Sequence, residues 1–306
     1  MNKELLTELR QLTAARLAEP MSRHTTFGIG GPADAYAVAE TEEQLRALVA
    51  IAGRHAVPVF ILGCGSNILV GDEGIRGLVL ENATTHMQEP VPSGNASFLV
   101  RAQSGVNFAS FARRLSLAGL ADLEWACGIP GTLGGAVIYN AGAYGGCLAD
   151  VLRSIRVADG DQVTELAASE LALGYRGSAF TRGLLQHKVV LSLDLILHEG
   201  DPQALAQRVA ELDARRRAAQ PRGRNAGSIF KNAPDRPAWW LIHRVGLRGH
   251  RIGDAQISPK HTNFIVNRGR ARAADAAALM ALAQQRVEEQ FDVRLEPEVT
   301  LVGAGF

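Results

Sequence analysis

WACGIPGTLGGAVIYNAGAYGGCLA, residues 125–149, lies between Glu124 and Asp150 and contains not one Asp, Glu, Lys, Arg or His. Its length would nominally cross a bilayer. Gly128, Gly131, Gly134, Gly135, Gly142, Gly145 and Gly146, with Pro130, make it a poor lipid-facing helix, so no membrane span is expected. So much glycine in one place costs backbone entropy. Either the segment is a loop that merely packs closely, or it is a cradle whose main-chain N–H groups approach an anion, aided by a helix start at Pro130. A large ligand with phosphates and a flat, uncharged ring system would suit the cradle.

Working outward, Gly63-Cys64-Gly65-Ser66-Asn67 forms a companion loop directly after the apolar run VPVFIL at 57–62, which reads as a strand. Upstream, Leu5, Leu6, Leu9, Leu12 and Leu17 predict an amphipathic helix over 3–18. A turn at Gly30-Gly31-Pro32 leads to a strand near 35–39, and Thr41 with Gln44 caps a helix to about Arg54. Gly28-x-Gly30-x-x-Ala33 has the letters of a dinucleotide fingerprint but precedes a strand, where that motif must open a helix. No phosphate-binding Gly-x-x-x-x-Gly-Lys loop occurs.

Downstream of the first loop, short strands are expected at 68–70, 78–80 and 97–102, with a helix from Asn107 to about Leu117. Strands recur at 152–158 and 188–197, separated by the polar turn at 174–180. Asp201 and Pro202 start a helix to Arg217, and another spans 238–245. Asp275 is expected to cap a helix to about Gln290. In the closing FDVRLEPEVTLVG, alternation puts Phe291, Val293, Leu295, Val299 and Leu301 on one face of a strand, and Glu296 and Glu298 on the other.

With 306 residues, 47% hydrophobic and 21% charged, the chain has the composition of a globular protein of two or three domains. A net charge of +1 gives no basic excess for nucleic acid. The N-terminus mixes charges into its apolar positions, unlike a signal peptide, so a cytoplasmic protein is expected. Cys64, Cys127 and Cys147 are too few and too scattered for a disulfide framework or a metal site, and Cys64 and Cys127, which flank the glycine loops, read as small buried apolar side chains.

HTTFGIGGPADAY, GCGSNILV, GIPGTLGGAVIYNAGAYGG, GYRGSAF, NAGSIFKN, GDAQISPKHTNFIVN and LEPEV, in this order over nearly the whole chain, resemble the UDP-N-acetylenolpyruvoylglucosamine reductase family. The resemblance implies an α+β fold: an FAD-binding domain of the vanillyl-alcohol-oxidase type over 1–198, in subdomains of about 1–62 and 63–198, and a substrate-binding domain over 199–306. It implies bound FAD, NADPH as reductant, and a monomer that reduces UDP-N-acetylglucosamine enolpyruvate to UDP-N-acetylmuramate for peptidoglycan. Cofactor contacts would come from Gly63, Cys64, Gly65, Ser66, Asn67, Gly128, Pro130, Gly131, Thr132, Gly134, Gly135, Asn140, Gly142 and Gly145.

By the same resemblance Ser228 is the proton donor, Arg176 holds the substrate carboxylate, Glu298 completes the catalytic group, and Asn232 and His261 lie near the nucleotide-sugar. Cys64 stands where the family usually has glycine. The short connection from Phe180 to Leu197 matches the subclass without an extra substrate-covering loop. A sugar or lactone oxidase of the same fold would share the glycine loops but have no need of NAGSIFKN or LEPEV.

Overall fold

The computed structural model describes residues 3–306, which gather into two compact units. One comprises residues up to Ala15, Ala37–Gly63 and Leu80–Arg216; the other comprises Arg16–Tyr36, Cys64–Val79 and Arg217–Phe306. The division therefore falls eighteen residues past the expected boundary between 198 and 199, because the helix Pro202–Ala219 buries Val209 in the core of the first unit. It also recruits two early segments to the later unit, since strand Ile68–Val70 pairs in parallel with Thr300–Val302.

The first unit is built on an antiparallel sheet of five strands in the order Gln162–Ala167, Leu152–Asp159, Val189–His198, Ser97–Gln103, Val91–Pro92. Val189–His198 is central and buried over most of its length, which is why it reads as a nearly continuous apolar run. Helix Phe108–Leu117, capped by Asn107, buries Phe108, Phe111 and Leu115 in the same core as Leu133, Val137 and Leu193. Trp125 joins them, edge-on to Phe108 at 5.7 Å between ring centroids.

The N-terminal helix spans only Lys3–Leu12, and Arg16–Pro20 is a strand. The helix stops where the Thr13 hydroxyl donates to the carbonyl of Val38 at 2.8 Å, and Leu17, counted in the helical stripe, is 47% exposed. Strand Gln162–Ala167 was not anticipated, because its mostly exposed side chains carry no apolar alternation.

The second unit packs helices Ala238–Arg244 and Ala273–Phe291 with a sheet ordered Arg224–Asn225, Ile265–Asn267, Ala255–Ile257, Arg251–Ile252. The closing segment is not one strand. Phe291 ends the helix, only Thr300–Val302 is extended, and Leu301 is exposed while Leu295 and Val299 are buried.

Asp275 is not the first cap of its helix: it lies one turn in and accepts the backbone N–H of Arg272 at 3.0 Å. The start of that helix is held from far away in sequence by Asp72, whose carboxylate accepts the N–H groups of Ala273 and Ala274 at 2.8 and 3.1 Å. A carboxylate there satisfies two otherwise orphaned donors and the helix dipole together. Asp72→Ala is expected to lower stability by about 1–2 kcal/mol, measured by urea denaturation of the flavin-loaded protein. An unchanged midpoint would show the cap to be idle.

Candidate active site

In the first unit the glycine-rich segment turns into the short helix Leu133–Ile138, which starts after its cap Thr132 and not at the expected Pro130. The Thr132 hydroxyl accepts the N–H of Gly135 at 3.4 Å. Gly63 lies against it: a Cβ built there would stand 2.6 Å from Thr132 Oγ1. The N–H groups of Leu133 and Gly134 donate to the carbonyls of Val106 and Ser104 at 2.9 and 2.8 Å. These two amides are thus spent inside the fold, which removes them from an anion cradle opened by the helix start. Gly134 serves packing instead, with Ser104 Cβ 3.2 Å from where its own Cβ would be.

Gly135 is different. A Cβ there would meet only Thr132 Oγ1, at 3.7 Å, so the chain itself does not demand glycine at that helical position. Alanine would favour the helix by roughly 1 kcal/mol. Space kept open at that cost fits a bound group lying over the segment, which is the observation that accommodates a flavin cofactor here. Gly142–Ala143 and Gly146–Cys147 form a small hairpin with Tyr144 and Gly145 at its tip, both at positive φ.

Asn140 does not offer its amide outward. Its Nδ2 donates to Gly174 O at 2.9 Å and its Oδ1 accepts from Ala149 N at 3.0 Å. It therefore ties the glycine segment to the turn Gly174–Gly177, closed by reciprocal backbone bonds, while the Ser178 hydroxyl adds a bond to Ile138 O at 2.7 Å. Arg176 stands at the tip of that turn at φ 52, a left-handed conformation uncommon outside glycine, with its guanidinium 5.6 Å over the Tyr175 ring.

In the second unit Cys64 is exposed, contrary to the expectation of a buried side chain, whereas Cys127 in the first unit is buried and its thiol pKa is pushed up by that burial. Gly65, at φ 59, packs against the backbone of His24 and Thr25. Asn67 Nδ2 donates to the carbonyl of Glu298 at 3.1 Å, and Asn67 O accepts from Thr300 N at 3.0 Å.

Ser228 follows an Asx turn in which Asn225 Oδ1 accepts Gly227 N at 2.9 Å, and Gly227 has φ 77. On its other side, Ile229 O accepts from Glu298 N at 2.8 Å, and Asn263 brackets Phe230 with two hydrogen bonds. The fold thus sets Ser228, Glu298 and Asn67 beside one another on fixed backbone. Glu296, by contrast, is solvent-facing and paired with Lys231 at 3.3 Å.

Asn232 Oδ1 accepts the first N–H of helix Ala238–Arg244 at 3.0 Å. His261 is packed edge-on to Phe264, with centroids 4.9 Å apart, and is tilted against Trp239 at 6.4 Å. Burial lowers the imidazole pKa, helped by the Arg248 charge, so His261 is neutral at pH 7. Neither the described helices nor the His, Cys, Asp and Glu side chains provide a membrane span or a metal cluster among the described residues.

The two halves match separate family models: an FAD binding domain over residues 33–165 and the UDP-N-acetylenolpyruvoylglucosamine reductase C-terminal domain over 219–302. Over 305 residues, 99% of this chain and 97% of the relative, it is 42% identical to UDP-N-acetylenolpyruvoylglucosamine reductase 2 of Symbiobacterium thermophilum. The chain belongs to the UDP-N-acetylenolpyruvoylglucosamine reductase family. The reductase of Lachnoclostridium phytofermentans is 38% identical over 99% of this chain and 98% of its own length. The crystal structure of the Thermus caldophilus reductase superposes with a TM-score of 0.78 at 35% identity, covering 95% of this chain and 99% of that one. As a member of this reductase family the chain is an oxidoreductase of α+β fold that uses FAD. The sugar or lactone oxidase reading is not favoured, since the match extends through the reductase-specific C-terminal domain.

Proposed function

We propose that this chain reduces the enolpyruvyl ether of UDP-N-acetylglucosamine to the lactyl ether of UDP-N-acetylmuramate, with NADPH as the reductant, as a cytoplasmic monomer that acts without nucleic acid. The observation that supports it most is the placement of Ser228 and Glu298 on adjacent, hydrogen-bonded backbone with Asn67. FAD, when bound, supplies a carrier that takes hydride from NADPH and passes it to the substrate alkene.

The remaining work falls to the chain's own side chains. Hydride addition at one alkene carbon leaves negative charge that spreads into the neighbouring carboxylate. Arg176 is assigned to that carboxylate, where a planar guanidinium can make two parallel hydrogen bonds. Ser228 is assigned to deliver its hydroxyl proton to the carbanionic carbon, and Glu298 to orient and polarise the donor. A serine hydroxyl is a weak acid, but a carbanion is a strong enough base to take its proton. Cys64, Gly65 and Ser66 are assigned to cofactor contact along with Gly63, Gly128, Gly131, Gly135, Gly142 and Gly145. Asn232 and His261 are assigned to the nucleotide-sugar.

The direct test is NADPH oxidation that requires the enolpyruvyl sugar. Oxidation at the same rate with oxygen alone would point to an oxidase instead. The segment Gly28–Ala33 leads into strand Pro32–Ala39 and not a helix, so it makes no dinucleotide fold of its own. NADPH and the sugar are therefore expected to use one site in turn. Initial rates should give parallel double-reciprocal lines, with inhibition by excess sugar, whereas intersecting lines would require a ternary complex.

A further inference from the structure

Arg215, Arg216 and Arg217 end the helix Pro202–Ala219, and a run of three on a helix must turn one of them inward. Arg216 is that one. It is half-buried while its two neighbours are exposed, and its stem lies against Gly128: a Cβ built at Gly128 would stand 2.6 Å from Arg216 Cδ and 3.4 Å from its Nε. Any side chain at 128 would have to displace the Arg216 stem from this position.

Among the described residues no hydrogen bond or ion pair satisfies the Arg216 guanidinium. Asp213, the carboxylate that attracts Arg216, is engaged by Arg113 at 2.5 Å, and Arg215 lies over the Tyr144 ring at 5.2 Å. Burial pushes the Arg216 pKa down against the attraction of the Tyr144 and Asp213 side chains, and the positive charge of Arg176 adds a smaller lowering, so two cations approach one another in a partly dehydrated place. Half-buried guanidinium groups ordinarily find an anion or a carboxylate. Here Asp213 attracts the guanidinium, but no anion is hydrogen-bonded to it among the described residues.

We propose that Arg216, admitted by Gly128, is an anion-binding residue of the glycine-rich segment that works beside Arg176. Its ligand is a phosphate or carboxylate, and the two sources at hand are the cofactor pyrophosphate and the anionic groups of the nucleotide-sugar, the second resting on the reductase reading. The segment 125–149 has no cation of its own, and Arg216 supplies one from a helix outside it.

The test uses Arg216→Gln in the full chain. Removing an unpaired, desolvated charge should leave the apoprotein melting at or above the wild-type temperature, which a merely structural arginine would not do. Anion binding should fall by about 10- to 100-fold, the usual worth of charge-assisted hydrogen bonds. If the pyrophosphate is the ligand, the loss appears in the Kd of FAD for apoprotein but not in that of riboflavin. If the substrate is the ligand, FAD affinity holds and KM for UDP-N-acetylglucosamine enolpyruvate rises.

Gly128→Ala, which pushes Arg216 aside without removing its charge, should reproduce whichever loss is seen. Arg216→Lys, a cation without the planar fork, should recover part of it. Unchanged FAD and sugar binding in Arg216→Gln would overturn the proposal. So would a lower melting temperature with normal binding. A wild-type enzyme that binds FAD through Arg216 yet ignores the enolpyruvyl sugar would uphold this inference while removing the reductase reading.

Discussion

Ser228→Ala should slow hydride delivery to the enolpyruvyl sugar by about two to four orders of magnitude, the usual contribution of a positioned acid. FAD content and the rate of flavin reduction by NADPH should stay near wild type, since neither step consumes the Ser228 proton. Ser228→Cys should retain more turnover than the alanine variant, because a thiol can still donate. The competing explanation is that Ser228 only completes the turn after Gly227, whose N–H is already held by Asn225. That explanation predicts reduced stability and normal turnover per folded molecule. Stopped-flow traces of the two half-reactions separate the cases, and equal slowing of both, or of neither, would take Ser228 out of the mechanism.

Gly135→Leu should give a folded but colourless protein. Beyond the adjacent residues and the helix's own backbone, only Thr132 Oγ1 lies within 4 Å of a Cβ at that position, so leucine should be accommodated in the apoprotein and even strengthen the helix by several tenths of a kcal/mol. The same side chain would occupy the space assigned to the cofactor. Overpacking of this kind costs about 1–3 kcal/mol or more, so FAD affinity should fall at least ~10- to 100-fold. Gly134→Val makes the contrast, because Ser104 stands in its way and the loss should appear first in folding. A Gly135→Leu protein that purifies yellow with stoichiometric FAD would place the cofactor elsewhere.

Much of this architecture is legible in the chain because the signals are local. Thr41 and Asn107 cap their helices through their own side chains, accepting from Gln44 N and Ser110 N. The apolar run at 189–198 is the buried centre of its sheet. What escaped the reading lacks any local signal. Asp72 caps a helix that begins 201 residues later, and Asn140 reaches 34 residues forward to hold the turn that carries Arg176.

Leu17 fits a helical stripe in sequence, but the chain leaves the helix at Leu12 and exposes it. The site was legible as types and spacings, with Ser228, Glu298 and Arg176 found by resemblance. Arg216 was not, because one arginine in a row of three looks like a solvated helix end until the glycine opposite it is known.

The most direct measurement is anaerobic. The enzyme is reduced with one equivalent of NADPH, freed of nucleotide, and mixed with UDP-N-acetylglucosamine enolpyruvate while the visible flavin absorbance is followed. The proposed function requires that the absorbance return without oxygen, in a single turnover that yields UDP-N-acetylmuramate. Persistent bleaching in the presence of the sugar, relieved only by admitting air, would contradict it.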